Sequence, residues 1–523
     1  MTFSKGATLK SCIVCLMILL FAANTLLAQT YSQSGGTATL SDKTYSTSTA
    51  NQSAVTVSNS GVLTLTNSTI KTTGNTSSQD SSSFYGLNAA VLSKSAGTIY
   101  LTGCSITTTG EGANGVFSTG TGSSIVLSKD TIYCSGSGGH GVDATIAGKL
   151  TLTDVVITTT NSHGAAIATD RGGGTIVATG GTVLTSGQDS PGIYSTGTIT
   201  VADATITATG SEAAVIEGAN SITLTNTNMT AAKGTRDRAL MIYQSMSGDA
   251  SGNKGVYTMT GGTFTWPSTT GPMFYATNTT AIITITGVSI VNSSPTLIKA
   301  AEDQWGTSGK NGGTIVFTAD NETMTGNLIC DNISSIAITL QNNSTLTGTI
   351  DSASLSLDAT SKWIVTGTSY ITSLTDPGGI SGTTITNITG NGYLVYYNSG
   401  STANSALGGK TYTLVNGGKL LPYGTSATGD QNIGLIYNWK LDQNFPNPFN
   451  PSTIISYQVQ SGSNVSLKVY DVIGREVAVL VNEWKPAGSY QVSFNAANLS
   501  SGTYLYRLQA GSTMITRKMI LLR

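Results

Sequence analysis

Between Gly61 and Leu357 the chain alternates apolar and polar residues with a period of two, in a unit that recurs along its length. Gly61-Val-Leu-Thr-Leu-Thr-Asn-Ser-Thr-Ile-Lys-Thr-Thr-Gly74 parallels Gly97-Thr-Ile-Tyr-Leu-Thr-Gly-Cys-Ser-Ile-Thr-Thr-Thr-Gly110 and Gly197-Thr-Ile-Thr-Val-Ala-Asp-Ala-Thr-Ile-Thr-Ala-Thr-Gly210. Within a unit, Ile199 and Val201 point one way and Thr198 and Thr200 the other; Ile206 and Ala208 repeat this against Thr205 and Thr207. A period of two in β-branched residues predicts strands. A turn rich in Gly, Asn or Asp separates the two strands. A third apolar run follows, usually opened by glycine, as in Gly115-Val-Phe117, Gly141-Val-Asp-Ala144 and Gly192-Ile-Tyr194.

The first apolar residue of the unit falls at Leu63, Ile99, Ile125, Leu150, Ile176, Ile199, Ile222, Tyr257, Ile283, Ile315, Ile338 and Leu355, mostly at intervals of 22–26 residues. Three short strands per repeat, each with one apolar face, describe one coil of a parallel β-helix. Right-handed winding is expected, as for parallel crossovers in general. A single coil cannot bury its own apolar face, so coils must stack, at about 4.8 Å each. The expected fold is all-β: a right-handed parallel β-helix of about 12 coils over residues 29–423, roughly 55–60 Å long. Past Leu357 the pattern weakens, and tyrosine-rich runs such as Gly392-Tyr-Leu-Val-Tyr-Tyr397 read as a terminal coil or cap. Residues 424–440 read as a linker, and sustained helical periodicity is missing throughout.

Composition narrows the class. Charged residues make up 10% of the chain and the net charge is −1, against about 25% charged residues in ordinary soluble domains. No basic field suits nucleic acid. At the N-terminus, Lys5 and Lys10 precede an apolar run over residues 12–27, and Leu26-Leu27-Ala28 offers a cleavage site before Gln29. Residues 1–28 therefore read as a secretory signal, leaving no transmembrane segment in the mature chain. Cys104, Cys134 and Cys330 would remain, an odd count without a disulfide framework.

Several groups are candidates for chemistry. The position before the third strand lines up Tyr85, Asn114, His140, His163, Pro191, Glu212 and Arg238 as a column. Stacked coils would set His140 and His163 roughly 5 Å apart, close enough to share a metal ion or simply to form a polar ladder. Asp170, Glu212, Glu217 and Arg236 concentrate charge in a chain that has little, with Asp143 nearby. They suit either a carbohydrate-active site, through paired carboxylates or a cation and a basic residue, or salt bridges on a solvated edge. Thr64, Thr151, Thr200 and Thr223 recur in register on the outward face. They suit binding through hydroxyl groups, or serve only as soluble strand formers. Trp266, Phe274, Tyr275, Trp305, Trp363, Tyr396 and Tyr397 are candidates for sugar stacking or for a buried cap. No cofactor is expected.

The C-terminal segment departs from the repeat. It runs Leu441-Asp-Gln-Asn-Phe-Pro-Asn-Pro-Phe-Asn-Pro451, then Val465-Ser-Leu-Lys-Val-Tyr-Asp-Val-Ile-Gly-Arg-Glu476 and Leu499-Ser-Ser-Gly-Thr-Tyr-Leu-Tyr-Arg-Leu-Gln509, and ends Arg517-Lys-Met-Ile-Leu-Leu-Arg523. Over residues 441–523 it resembles the C-terminal sorting domain of the type IX secretion system. The resemblance rests on Asn444, Pro446, Asn447, Pro448, Phe449, Asn450, Pro451, Gly474, Gly502, Tyr504 and Lys518. It implies a small antiparallel β-sandwich, recognition by the type IX machinery after Sec export, and delivery to the cell surface or the medium. The body resembles adhesin-like, Thr- and Gly-rich β-helix proteins. That implies a binding or structural role with glycans or other surface components as partners; the alternative is a polysaccharide lyase or glycoside hydrolase on the same rod.

Overall fold

The computed structural model describes residues 29–248, 250–423, 439–459, 463–485, 488–511 and 513–522. The predicted signal and nearly all of the predicted linker lie outside these residues. The body is a parallel β-helix. One turn reads Val142–Thr145, Lys149–Thr153, Val156–Thr159, and each strand pairs in parallel with its counterpart in the next turn. Three stacks of strands result. The first, called here the threonine stack, runs from Thr37–Ser41 to Lys419–Tyr423. The second begins at Thr44–Thr47 and the third at Tyr31–Ser34.

The rod has about 16 turns, more than the dozen expected. One added strand precedes Leu63, and Ser369–Thr375, Leu394–Asn398 and Lys419–Tyr423 extend the far end. The tyrosine-rich runs are thus further turns of the same stack. At about 4.8 Å per turn, the rod is roughly 70 Å long.

Inward side chains stack like on like. Leu63, Ile99, Ile125, Leu150, Ile176, Ile199 and Ile222 form one continuous file, and a single apolar core extends from Tyr45 to Leu420. Ile283 faces Phe317, not Ile315 as its spacing suggests. The strands here are seven residues long, so Ile315 and Phe317 both point inward and the repeat alone cannot choose between them.

The corner after the threonine stack explains the Asn, Asp and Gly turns. Asn67, Gly103, Asp154, Gly180, Asp203 and Asn226 occupy it in most turns, with Lys129 between Gly103 and Asp154, all with φ between 46° and 68°. Left-handed backbone suits glycine, and suits Asn and Asp better than other residues with a Cβ. Cys104, Cys134 and Cys330 are buried free thiols. Trp266, Phe274, Trp363 and Tyr397 are buried core residues, so of the two roles weighed for them burial applies and sugar stacking does not.

One feature lacks a period-two signal. The insertion after Thr72 holds a seven-residue α-helix, Gln79–Tyr85. Ser78 caps its start, its Oγ accepting from the Ser81 N–H, and Gly86 ends it with φ 69°.

At the C-terminus two antiparallel sheets share a second core. One contains Lys440–Leu441, Ser452–Val459 and Gly488–Asn495; the other Glu476–Lys485, Ser463–Tyr470, Gly502–Ala510 and Thr513–Leu521. Ile455 and Tyr457 from the first pack with Leu467, Val469 and Tyr506 from the second.

Candidate functional site

Two surfaces of the rod differ in kind. The outward face of the threonine stack is open. Thr64 pairs with Tyr100, Val126 with Thr151, Val177 with Thr200, and Thr200 with Thr223, so the four threonines singled out by sequence share one file. Thr258, Thr284, Thr318 and Thr339 continue it. This face carries hydroxyl groups and isolated apolar side chains, with few charges.

The outward face of the third stack is covered instead. Its strands Val116–Thr119 and Val142–Thr145 are buried on both sides. Helix Gln79–Tyr85 lies across them: the Thr145 hydroxyl donates to the Phe84 carbonyl at 2.8 Å, and Asn114 Nδ2 donates to the Ser82 carbonyl at 2.9 Å. The Arg171 guanidinium sits over the Phe84 ring at 4.9 Å. The loop carrying Trp305 covers the other end, where Trp305 packs on Tyr243 with ring centroids 4.7 Å apart.

Beneath this cover the charged residues form two groups. His140, Asp143 and Asp170 make the first, each offering a ligand atom within 4.8 Å of the others. His140 lies at the corner before strand Val142–Thr145. Asp143 is the second residue of that strand, and Asp170 follows strand Ile167–Thr169 in the next turn. Burial and the neighbouring Asp170 push the Asp143 carboxyl well above the usual range, and the adjoining Ala144 N–H offsets this only in part. Burial pushes His140 down to about 4, against the opposing pull of the Ala165 backbone, so the imidazole is neutral at pH 7.

Glu217 centres the second group. Its Oε2 accepts from Tyr194 at 2.5 Å and Tyr243 at 2.8 Å, and its Oε1 accepts from the Ser245 hydroxyl. Burial, the neighbouring tyrosine and the Glu217 and Asp170 carboxylates hold Tyr194 well above the ordinary phenol range. Arg236 stacks over Trp305 at 5.1 Å. Arg238 lies over Tyr275 at 4.2 Å and pairs with Asp303 at 3.1 Å.

The four acidic and basic residues weighed from sequence as one site fall into adjoining groups, with Tyr194 feeling both the Asp170 and the Glu217 carboxylates. Asp170 belongs to the first group, and Glu217 and Arg236 to the second. Glu212 sits at the opposite end of strand Ala214–Glu217 from Glu217, roughly 16 Å along an extended chain. It accepts from the Ser211 hydroxyl at 2.6 Å.

The histidine pair does not form. Residues Val142 and Ile167 are in register, 25 apart, whereas the histidines are 23 apart. Ala165 takes the position above His140, and Ala89 replaces Tyr85 in the same file. His163 instead occupies a left-handed corner with φ 60°, its side chain 69% exposed and 3.9 Å from Asp189.

Sequence reasoning missed Tyr194 and Tyr243 as partners of Glu217. The available signal was the unbroken apolar run Ala239-Leu-Met-Ile-Tyr243, since a strand without alternation is buried on both faces.

The C-terminal motif also has a geometry. The Asn444 N–H donates to Tyr506 Oη at 2.8 Å, and Tyr506 donates to the Asp442 carbonyl at 2.7 Å. Asn444 Nδ2 reaches the Pro446 carbonyl and Thr453 Oγ1, both at 3.0 Å. Asn447 Oδ1 accepts from the Ile520 N–H at 2.9 Å, and Phe449 is buried in the sandwich core. Tyr504 donates to the Ser500 carbonyl at 2.8 Å, and Gly474 turns the Asp471–Arg475 loop with φ 84°. Pro446, Pro448, Asn450, Pro451, Gly502 and Lys518 are exposed. Residues 443–522 match the family model described as a secretion system C-terminal sorting domain. The tail is a type IX sorting domain. It marks a secreted or cell-surface protein with a β-helix body, and implies contact with the secretion machinery. No curated protein matches the chain. Among the described residues, no helix is long and apolar enough to cross a membrane.

Proposed function

We propose that this protein is an adhesin-like binding rod, displayed or released by the type IX pathway, that engages glycans or other surface components along its threonine stack. The observation that carries this reading is the open hydroxyl face, repeated in register from Thr39 to Thr339. A repetitive face of low charge suits many weak contacts acting together, which avidity converts into useful affinity. The burial of Asp170, Glu212 and Glu217 favours binding over turnover, because a polymer substrate has no direct route to those carboxylates. In this reading residues 1–28 direct Sec export, residues 29–423 form the working rod, residues 424–440 tether it, and residues 441–523 are removed after crossing the outer membrane.

The test is a glycan array read alongside a panel of soluble polysaccharides. Binding without product release, weakened when Thr151, Thr200 and Thr223 are together replaced by lysine, is the expected result. Product release abolished by Glu217→Gln would replace this reading with a carbohydrate-active enzyme.

A further inference from the structure

Asp143 has an unusual environment. It is fully buried, it faces outward on its strand, and apart from the pull of the adjoining Ala144 N–H neither carboxylate oxygen has a hydrogen-bond partner among the described residues. Buried carboxylates without partners are rare, because desolvation is severe when nothing replaces water. Nδ1 of His140 is also buried and without a partner. Asp170, from the next turn, completes a set of three ligand atoms within 4.8 Å of one another.

The surroundings favour a small occupant. Directly opposite Asp143 in the next strand is Ala168, the smallest side chain that file offers, while Phe117 closes the preceding side. Helix Gln79–Tyr85 covers the group, held to it through Thr145 and Asn114. Its Gln79 side chain lies against Gly138, where an added Cβ would stand 2.8 Å from Oε1.

We propose that His140, Asp143 and Asp170 bind one divalent transition-metal ion of the Zn²⁺ type. One neutral imidazole and two carboxylates suit such an ion better than Ca²⁺ or Mg²⁺, which favour all-oxygen shells. Two carboxylates balance its charge, and water supplies the remaining position. Tetrahedral ligands with bonds of about 2.0–2.1 Å lie about 3.3 Å apart. Small side-chain rotations therefore close the set. The ion would tie the corner at His140 to the turn that follows it, under the helix. This site is independent of the binding reading, since it lies on a different face of the rod.

The experiment uses the full chain, stripped with EDTA and titrated with ZnCl₂ by calorimetry, with metal content measured after dialysis. One equivalent of zinc and a raised thermal midpoint are expected. Loss of a residue that merely supports a ligand already weakens a metal site by about 10–100-fold. Asp143→Asn and His140→Gln should lose no less, while His163→Gln should bind as the parent does. Absence of stoichiometric zinc in the parent protein overturns the proposal whether or not the variants fold. So does equal zinc binding in folded Asp143→Asn, or loss of binding in His163→Gln. In that case Asp143 is a buried carboxyl that simply keeps its proton.

Discussion

Asp130 Oδ1 accepts a hydrogen bond of 2.6 Å from the backbone N–H of Cys104, one turn before it in the stack. The same corner repeats the device: Glu322 accepts from the Val288 N–H at 2.7 Å, and Ser68 Oγ from the Lys43 N–H at 3.0 Å. A side chain from each later turn thus satisfies a backbone donor that the bend removes from the ladder. Where the side chain is a carboxyl, burial outweighs these hydrogen bonds. It raises Asp130 from 3.8 to about 6 and Glu322 from 4.5 to about 7. The folded state then holds these protons more tightly than the unfolded chain. Their contribution to stability is complete below about pH 4 and is lost as pH rises through 6 and 7. The thermal midpoint should therefore fall between pH 5 and pH 8, and Glu322→Gln should flatten part of that slope. An unchanged slope in the variant would sink this account.

The left-handed corner makes a second prediction. Asn226 has φ 46°, a conformation that costs a β-branched residue most. Asn226→Val should destabilise the rod by roughly 1–2 kcal/mol, and Asn226→Gly by much less. Denaturant melts of the two variants side by side separate backbone strain from loss of the amide.

Phe317 and Val316 are neighbours on opposite faces of one strand. Phe317 is fully buried between Ile283 and Ile338, and Val316 is 41% exposed. Truncating Phe317 to alanine should cost about 3–5 kcal/mol, while Val316→Ala should stay within about 0.5 kcal/mol. Similar losses at both positions would mean that the inward file is misassigned.

In the sorting domain, Tyr506 joins Asn444 to Asp442 across the sandwich. Tyr506→Phe leaves a buried N–H without its acceptor, at a cost of about 1–3 kcal/mol. Calorimetric melts of the full chain should show that loss, while Ile473→Ser, at an exposed turn with Ile473 81% accessible, should leave stability unchanged. Deleting residues 441–523 should prevent surface display altogether. Normal display of the truncated chain, seen by protease shaving of whole cells, would contradict the role of the tail.

The strands, their stacking into a parallel β-helix, the outward threonine file and the sorting tail were all legible in the order of residues alone. All of these follow from short-range signals: a period of two, Asn, Asp or Gly at corners, and one contiguous motif set. Which residues of different turns meet emerged only from the folded rod. A coil of 25 residues instead of 23 moves His163 out of the file of His140 and sets Ala165 there. An insertion whose helix has no period-two signal covers the third stack, where Asp143 lies buried with its carboxylate within 4.8 Å of ligand atoms of His140 and Asp170. The reason is physical. Alternation along a strand is dictated residue by residue, but contact between turns depends on the summed lengths of every corner and loop between them.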